Sequence, residues 1–373
     1  MNVVHLTSSR FFGGPERQML GLAQALAPRY ESTFVSFSET GLCRDLLEHV
    51  QDAGFQGVSL RHDTPRLLAA HGELLTVLRE VNADLLCCHG YKANLVGLPA
   101  ARRLRMPIVS VSHGWTGESL RVRLYEAIDR RVLRRMDRVV CVSSGQAGRV
   151  LGCGVASEKC RVIRNAIRID RVEEPKPEYR DHLADLFPVR PRWIVGAAGR
   201  LSPEKGFEVL VDAAADVVSK NSQVGFVIFG DGVLRERLRE RISQRGLDRS
   251  FILAGFRSDL DSYLPHLDLF ALSSFTEGLP VVVLEAFAAG VAVVATRVGG
   301  VPEVVDHGVN GLCVESGSPE ELAHGILDVL TDETLRCTMG QSGRKRVVEE
   351  FTFDRLAKQY QHLFEDIVAP CPN

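Results

Sequence analysis

The feature that most constrains this chain is an alternation, repeated almost from end to end, of short apolar runs with longer segments of helical periodicity. Ten runs have the length and composition of buried strands: 3–6, 33–37, 84–88, 108–112 and 138–142 in the first half, and 193–198, 225–229, 251–254, 269–272 and 291–295 in the second. Strands separated by helices form βαβ units, and the handedness of their connections makes the sheets parallel. The sequence therefore predicts an α/β protein with two doubly wound sheets.

A charged, proline-punctuated stretch at residues 170–178 separates two halves of similar length. The 373 residues are enough for two domains of ordinary size. We predict a Rossmann-like N-terminal domain over 1–170, a linker over 171–191, a second Rossmann-like domain over 192–350 and a terminal helix over 351–373. Ligands of open α/β sheets bind beyond the carboxyl ends of the strands, so we expect a site in the cleft between the domains.

The bulk composition indicates a globular protein, with 45% hydrophobic and 25% charged residues. The best candidate for a membrane span, residues 280–296, is interrupted by Glu285, and the N-terminus lacks the pattern of a signal peptide. The nine cysteines include no Cys-x-x-Cys pair and the eleven histidines no His-x-x-x-His pair, which argues against disulfides and a metal site. We therefore expect a cytoplasmic protein without a bound metal.

Charge is distributed unevenly, although the net charge is only −2. Residues 1–168 contain 23 Lys and Arg against 15 Asp and Glu, and the remainder contains 22 against 32. The surplus is concentrated at arginines 102, 103, 105, 121, 123, 130, 131, 134, 135 and 138. Leucines and other apolar residues recur at helical spacing through the second cluster, so its arginines are one face of an amphipathic helix. These arginines either form a solvated face on which Glu126 and Asp129 are also present or contact an anionic membrane. No nucleic-acid partner is expected.

Two glutamates eight residues apart, Glu277 and Glu285, carry the most specific functional signal. Gly278 and Pro280 end the segment before them, and proline is tolerated only in the first turn of a helix, so a helix is expected to start near Pro280. Glu277 then lies on the entry loop and Glu285 on an otherwise apolar helix. Burying these carboxylates requires polar partners, which a polyhydroxyl ligand with a phosphate would supply. The alternative is that Glu277 caps the helix and Glu285 forms a surface ion pair.

With Ser273-Ser274-Phe275-Thr276-Glu277-Gly278-Leu279-Pro280 leading into it and Gly299-Gly300-Val301-Pro302-Glu303 following it, this pair resembles the E-x7-E signature of retaining GT-B glycosyltransferases of family 4, the glycosyl transferases group 1. The resemblance covers essentially the whole chain. It implies that Glu285 binds the ribose hydroxyls, that Glu277 contacts the transferred sugar, and that the loop Gly278, Leu279 and Pro280 borders the nucleotide-sugar donor. It also implies a GT-B fold whose terminal helix crosses back to the first domain.

The run from Gly199 to Gly206 resembles the Gly-Arg-Leu-x-x-x-Lys-Gly motif of the same family. Cations at a helix N-terminus oppose the helix dipole, and an anionic ligand would reverse that effect. By resemblance, Arg200 and Lys205 hold the diphosphate and neutralise the leaving group, which is a preorganised electrostatic contribution to catalysis. Otherwise both are solvated surface cations with Glu204 as a partner.

Loops in the first half also resemble the family pattern. Gly13 and Gly14 precede a predicted helix, and by resemblance they border the phosphate and sugar of the donor; a plain strand-to-helix turn is the alternative. His113 stands where relatives place an active-site histidine, but Gly114 replaces the acidic residue that often follows it. We therefore expect His113 to contact the sugar without transferring a proton. His89 lies in a similar loop one βα unit earlier, and the alternative for either histidine is packing at a strand end for structural reasons.

Two further motifs in the second half have competing interpretations. Gly230 and Gly232 begin a dinucleotide-type glycine pattern, but Arg235 occupies the third glycine position. The family resemblance instead assigns this loop, and Phe256 after the next strand, to the base and phosphates of the donor. Asp259-Leu260-Asp261 has the spacing of a metal-binding D-x-D, yet acidic residues are also favoured at the start of a short helix, and we prefer that structural interpretation.

The sequence therefore predicts a metal-independent retaining transferase that moves a sugar from a UDP- or GDP-sugar to a lipid-linked or cell-envelope glycan. No permanently bound cofactor is expected, and attachment to the inner face of a membrane stays open. A catalytically silent GT-B binding protein would share the fold, and an NAD-dependent oxidoreductase would share the sheet topology. One departure is the sequence Arg164-Asn165-Ala166-Ile167, where relatives often have Asn-Gly-Ile; it bears on the hinge and domain closure.

Overall fold

A computed structural model of the chain describes residues 1–115, 120–169 and 176–368. The chain divides into two compact units, Met1–Ala166 with Phe353–Asn373, and Ile167–Thr352. Residues 170–175 of the predicted linker and the last five residues of the predicted terminal helix lie outside the described residues. Within the described residues, no helix is both long and apolar enough to cross a membrane.

The first unit is built around a seven-stranded parallel sheet with the order β3-β2-β1-β4-β5-β6-β7. Its strands are β1 (Asn2–Thr7), β2 (Glu31–Phe37), β3 (Gln56–Leu60), β4 (Leu85–His89), β5 (Ile108–Ser112), β6 (Arg138–Cys141) and β7 (Cys160–Val162). Its helices are α1 (Gly14–Leu26), α2 (Arg44–Asp52), α3 (Leu67–Glu80), α4 (Tyr91–Leu104), α5 (Leu120–Leu133) and α6 (Ser144–Gly152), and the last helix of the chain also belongs to this unit.

The second unit is built around a six-stranded parallel sheet with the order β10-β9-β8-β11-β12-β13. Its strands are β8 (Trp193–Ala198), β9 (Val224–Phe229), β10 (Phe251–Gly255), β11 (Leu269–Leu272), β12 (Val293–Thr296) and β13 (Gly311–Val314). Its helices are α7 (Pro177–Asp185), α8 (Phe207–Lys220), α9 (Arg235–Gln244), α10 (Leu260–Tyr263), α11 (Val281–Ala288), α12 (Pro319–Thr331) and α13 (Glu333–Glu350). The chain order of each sheet reverses once, beside β1 and beside β8, as in doubly wound folds.

The prediction of two doubly wound α/β units is confirmed, and all ten predicted strands are present. Three strands were missed: β3, β7 and β13. All three lie at the edges of their sheets and are only three to five residues long. Central strands of a parallel sheet are covered on both faces and therefore have continuous apolar sequences, whereas edge strands need not. The burial of β4, whose five residues Leu85–His89 are all buried, illustrates the central type.

The last helix, α14 (Phe353–Val368), packs on the first unit. Gly21 of α1 lies so close to the ring of Phe353 that a Cβ there would be 2.2 Å from its Cζ. Phe364 is fully buried and contacts the ring of Tyr30, with centroids 5.9 Å apart. The terminal helix therefore completes the core of the first unit.

The stretch predicted as a linker contains an ordered helix, α7. Tyr179 of α7 contacts the ring of Tyr263 edge-on at 5.0 Å, and Arg180 donates to the main-chain oxygen of His266 at 2.5 Å. The second unit therefore takes in residues that we predicted to connect the domains. The prediction missed α7 because prolines and charged residues hide its few buried positions, which include Leu183.

Candidate functional site

Arg200 lies in the loop that follows β8, at the carboxyl end of the sheet of the second unit. Its Nη2 donates to Oε1 of Glu204 at 2.8 Å and its Nε donates to Oγ of Ser202 at 3.2 Å. The Arg200 side chain is 44% exposed, whereas that of Glu204 is 7% exposed. Arg200 is therefore a solvent-accessible cation whose partner, as the alternative interpretation supposed, is Glu204, but the carboxylate of this partner is buried.

Glu204 is held as an anion inside this loop. Burial raises the pKa of its carboxyl, but hydrogen bonds from Ser202 and Arg200 outweigh burial and bring that pKa below its usual value. The Ser202 hydroxyl donates to Oε1 at 2.5 Å, and the main-chain oxygen of Glu204 accepts from the amide of Phe275 at 2.8 Å. Both the side chain and the backbone of Glu204 are thus fixed.

Lys205 forms a second cation–carboxylate pair, with Glu277 of the loop after β11. Its Nζ donates to Oε1 of Glu277 at 2.7 Å, and the Ser274 hydroxyl donates to the same oxygen at 2.6 Å. The Lys205 side chain is 23% exposed and that of Glu277 only 9%. The structure therefore brings together two residues that lie 72 positions apart in sequence and that we predicted to share a site.

Two glycines allow the backbones of these loops to approach closely. Gly206 has a φ of +61°, and a Cβ there would lie 2.2 Å from the main-chain oxygen of Ser273. Gly299 has a φ of +51°, and a Cβ there would lie 1.8 Å from the main-chain oxygen of Glu277. At both positions the positive φ disfavours, and the close main-chain oxygen excludes, any residue that has a Cβ. The glycines of the motifs therefore set the distance between the loops that carry Lys205 and Glu277.

The other residues of the second unit that were predicted to border a donor include three glycines and Phe256, which lie around the same end of the sheet. Gly199 follows β8 directly and its amide donates to the oxygen of Phe229 at 3.0 Å; Gly230 follows β9 and donates to the oxygen of Gly255 at 2.8 Å. Gly232 packs against Leu201 so closely that a Cβ would be 2.6 Å from its main-chain oxygen. Phe256, just after β10, is 64% exposed, which leaves its ring accessible to a ligand.

Helix α11 begins at Val281 with Pro280 as its N-cap, close to where the sequence predicted. Gly278 and Leu279 lie in the loop before it, and Leu279 is buried. Glu277 therefore lies on the entry loop and Glu285 on the helix, as expected from their spacing. Glu285 is partly exposed among buried neighbours such as Leu284 and Ala286.

In the first unit, the loop of Gly13 and Gly14 has the geometry of an ordinary turn from a strand to a helix. Helix α1 starts at Gly14, and the amide of Gly13 donates to Oε2 of Glu16 at 3.1 Å. The φ of Gly13 is −105°, and a Cβ there would meet side chains, the ring of Phe11 and the carboxylate of Glu16, and not a closely approaching backbone. Burial raises the pKa of Glu16. The geometry of Gly13 fits a capped strand-to-helix turn, and its role near a ligand stays a prediction.

His113 is the end of a row of three imidazoles on neighbouring strands. Nδ1 of His5 lies 3.2 Å from Nε2 of His89, and the rings of His89 and His113 are stacked with centroids 5.9 Å apart. Burial lowers the pKa of His5 and of His113 to about 4, and it lowers that of His89 as well. His113 is therefore neutral at physiological pH, which agrees with a contact role.

The loop after His113 is fastened to α5 by a buried acid. Oδ2 of Asp129 accepts from Nε1 of Trp115 at 3.1 Å, and Oδ1 accepts from Nδ2 of Asn94 at 2.7 Å. Burial raises the pKa of Asp129, although these hydrogen bonds act in the opposite direction. Asp129 and Glu126 are both buried, so these acids do not lie among the exposed arginines of α5 as the solvated-face interpretation supposed. Among the arginines, Arg130 packs over the Trp115 ring at 5.1 Å.

Sequence reasoning missed a second polar cluster at the carboxyl edge of the first sheet. Lys92 Nζ donates to Oε1 of Glu39 at 2.5 Å and also to Asp63, and lies 4.4 Å above the ring of Phe37. Arg10 donates to the other oxygen of Glu39 at 2.8 Å. For both acids burial opposes ionisation, yet hydrogen bonds, led by those from Lys92, bring the pKa below its usual value. Only the positions of Glu39 and Asp63 just after strands β2 and β3 could have indicated this cluster.

The D-x-D pair behaves as a helix start. Asp259 is the N-cap of α10, and Oδ1 of Asp261 accepts from the amide of Ser262 at 3.1 Å. Among the residues that the structure describes, no group of three His, Cys, Asp or Glu side chains is arranged to hold a metal ion.

Comparison with known proteins gives a consistent result. A family model described as Glycosyltransferase Family 4 matches residues 12–171, and one described as Glycosyl transferases group 1 matches residues 182–346. The chain is 30% identical over 355 residues to the lipopolysaccharide core biosynthesis glycosyltransferase LpsE of Rhizobium meliloti, covering 94% of this chain and 95% of that protein.

Two more distant relatives extend over nearly the whole chain. The UDP-Gal:alpha-D-GlcNAc-diphosphoundecaprenol alpha-1,3-galactosyltransferase of Escherichia coli is 23% identical over 99% of this chain and 97% of its own length. The crystal structure of Anabaena Alr3699/HepE in complex with UDP-glucose has a TM-score of 0.87 and 24% identity, covering 98% of this chain and 100% of that one. The latter is a likeness of fold.

Proposed function

The chain belongs to the glycosyltransferases of family 4, the glycosyl transferases group 1, and on that premise we propose that it moves a sugar from a UDP- or GDP-sugar to a lipid-linked or cell-envelope glycan with retention of configuration. The observation that carries the proposal is the pair of cations, Arg200 and Lys205, held by buried carboxylates at the carboxyl end of β8. Cations near the start of α8 oppose its helix dipole, whereas an anionic ligand at that position favours them.

In this proposal, the diphosphate of the donor lies against Arg200, Lys205 and the glycine turns of Gly199, Gly230 and Gly232. When the bond from the sugar to the diphosphate breaks, negative charge grows on the leaving oxygens. Cations that are already in place stabilise that charge at little reorganisation cost, and removing a single such group typically costs a factor of about 10²–10³. These side chains and helix N-termini would serve without a metal ion.

The nucleoside half of the donor is assigned to neighbouring loops. Glu285 would accept hydrogen bonds from the ribose hydroxyls, and the exposed ring of Phe256 is available beside the base. The loop Gly278, Leu279 and Pro280 would border the phosphates at the start of α11. The base of the donor stays open between uridine and guanosine; UDP-sugars are the first donors to test, because the HepE structure contains UDP-glucose and the Escherichia coli relative is named for UDP-Gal, and GDP-sugars are tested beside them.

The reacting sugar is assigned to Glu277 and His113, with Gly13 and Gly14 beside its phosphate. Glu277 accepts from Lys205 and Ser274 through Oε1. We assign Oε2, the other carboxylate oxygen of Glu277, to hydrogen bonds from the sugar hydroxyls. The acceptor hydroxyl would attack from the same face of the sugar from which the leaving group departs, and this retains the configuration. The acceptor proton would pass to the departing phosphate oxygen. No enzyme nucleophile takes part.

We assign acceptor binding to the first unit and propose peripheral contact with an anionic membrane surface. The Escherichia coli relative is named for a diphosphoundecaprenol-linked acceptor, and LpsE for lipopolysaccharide core biosynthesis. Exposed Arg123 and Leu124 on α5 would lie at the lipid surface, where each basic residue contributes about 1 kcal/mol.

The test is a transfer assay with UDP- and GDP-sugars in EDTA, using undecaprenyl-diphosphate-linked GlcNAc as the lipid acceptor and following the anomeric proton by NMR. The proposal predicts turnover in EDTA with one nucleotide family and a product of unchanged anomeric configuration. An inverted product would overturn retention, and turnover that appears only after Mg²⁺ is added would overturn metal independence. A protein that binds the nucleotide but transfers and hydrolyses nothing would instead be a silent GT-B binding protein.

A further inference from the structure

Glu204 is the buried anion that Arg200 contacts in this structure. The same guanidinium is the group that we assign to the diphosphate, so the carboxylate and a diphosphate are two acceptors for one cation. Arg200 is almost half exposed, whereas Glu204 is buried and fixed by Ser202 and by the amide of Phe275. The cation is therefore the partner that a ligand can reach.

A fixed carboxylate beside Arg200 has two opposite effects on an incoming diphosphate. It orients the guanidinium, which favours binding, and it adds a negative charge next to a ligand that is itself negative, which opposes binding. Because the guanidinium has five N–H donors in a rigid fork, it can keep one bond to Glu204 while it donates others to phosphate oxygens. The orienting effect needs only a hydrogen-bond acceptor, whereas the opposing effect needs the charge.

On the basis of the proposed function, we infer that Glu204 is the resident counter-ion of Arg200, a positioning residue that keeps the guanidinium in place and, by its charge, weakens the hold on the nucleoside diphosphate product. An enzyme whose cations bind the leaving group strongly must also release it, and release of product often limits turnover. Glu204 offers Arg200 an anionic partner to which it returns as the product leaves.

The experiment is Glu204→Gln, which keeps an oxygen that accepts from Ser202 and Arg200 but removes the charge. We expect the Kd of the best-binding diphosphate among UDP, GDP and ADP to fall about tenfold, its inhibition constant as product to fall in parallel, and kcat to decrease. A carboxylate that only orients Arg200, or that only supports the fold, predicts an unchanged Kd, and one whose charge helps to hold the diphosphate site together predicts weaker binding. Either result would overturn the inference.

The matched control is Glu208→Gln, at a residue of α8 that lies four positions after Glu204. The Glu208 carboxylate lies 2.6 Å from Nε of Arg237, so this variant makes the same change of charge at an arginine–glutamate pair outside the site. The Kd is expected to stay within twofold of the wild-type value. Equal tightening in both variants would mean that net charge alone is responsible, and it would contradict the role of Glu204.

Two further variants distinguish failure of the inference about Glu204 from failure of the proposed function. Where Glu204→Gln does not fold, Glu204→Asp withdraws the charge from Arg200 by one methylene group and is expected to tighten binding about threefold; an unchanged or weaker Kd would contradict the inference. Arg200→Ala tests the proposed function itself: if it binds the diphosphate as well as the wild-type protein, Arg200 is not a phosphate ligand and both proposals fail. If Arg200→Ala loses binding and Glu204→Gln does not tighten it, only the inference about Glu204 fails.

Discussion

The two sheets end in polar clusters of different character, although their architecture is the same. In the second unit, Arg200 and Lys205 each face one buried carboxylate and keep part of their surface accessible. In the first unit, Lys92 is only 11% exposed and is shared by two carboxylates above an aromatic ring. A partly exposed cation can accept a ligand anion, whereas a cation enclosed by two carboxylates is a structural cross-link. We propose that exposure separates binding residues from scaffold residues at equivalent edges of the sheets.

The strongest way to break this comparison is to remove the accessible cation. Lys205→Ala is expected to lower kcat/KM for transfer by a factor of about 10²–10³, because the charge on the leaving diphosphate loses one preorganised cation. Initial rates with the preferred donor measure this loss. Thermal denaturation serves as the control: some loss of stability is expected because the buried Glu277 carboxylate loses its cation, but the variant should stay folded at the assay temperature. Transfer at the wild-type rate would refute the role of Lys205.

The enclosed cation should show the opposite behaviour. Lys92→Met leaves the buried carboxylates of Glu39 and Asp63 without their shared cation and is expected to lower the free energy of unfolding by about 3 kcal/mol. Urea denaturation measures the change, with Lys220→Met at an exposed position of α8 as the control. Normal stability combined with a loss of transfer would show that this edge also binds a ligand, and the distinction between the two clusters would fail.

The pair of Arg200 and Glu204 in the second unit also allows a prediction about stability. Arg200→Ala leaves the buried Glu204 carboxylate without its cation, so the variant should lose about 1 kcal/mol of stability as well as transfer, a modest cost because the arginine is partly exposed. The double variant Arg200→Ala/Glu204→Gln should regain that stability without regaining transfer. A double variant no more stable than Arg200→Ala would mean that Glu204 does not depend on Arg200 for its burial.

A glycine comparison tests whether the second unit needs its closely packed loops. Gly299→Ala introduces both an unfavourable φ and a contact with the main-chain oxygen of Glu277, whereas Gly308→Ala has a φ of +80° and nothing within 4 Å. We expect Gly308→Ala to cost about 1 kcal/mol and Gly299→Ala about 2 kcal/mol more. Chemical denaturation gives both values, and equal costs would mean that the contact between the loops is not tight.

The smallest expected effect concerns the histidine row of the first unit. The pKa of His5 is lowered to about 4 in the folded state, so between pH 6.5 and about 4 the unfolded chain binds more protons than the folded one. Stability therefore rises with pH through this window, and acid destabilises, by up to about 1.4 kcal/mol per pH unit for each such histidine. His5→Phe should reduce the slope of unfolding free energy against pH. A slope unchanged in this variant would place the titration elsewhere.

Much of this organisation is predictable from local sequence. Central strands such as β4 and β9 are continuous apolar runs because helices cover both faces of the sheet. The motif loops are predictable because glycine is required where backbones nearly touch, and Arg200, Lys205 and Glu277 stand at fixed offsets from those glycines. The edge strand β3 is not predictable in the same way, since only Leu60 of its five residues is buried.

The contacts that depend on distant segments could not be predicted. The Lys92 cluster joins loops after β1, β2, β3 and β4, and without β3 there was no basis for placing Asp63 beside Glu39. The row of His5, His89 and His113 follows from the strand order β1-β4-β5, which the sequence does not reveal. From the sequence we interpreted Glu204 only as a partner for surface cations. Its burial could not be predicted, because it is a property of the folded loop and not of the motif.

The most direct test of the account is calorimetric titration of UDP, GDP and ADP, in EDTA, into the wild-type protein, Lys205→Ala and Lys92→Met. The account predicts that one nucleoside diphosphate binds the wild-type protein and Lys92→Met equally well and binds Lys205→Ala at least a hundredfold more weakly. Undiminished binding by Lys205→Ala, or loss of binding in folded Lys92→Met alone, would contradict the assignment of the diphosphate to the second unit.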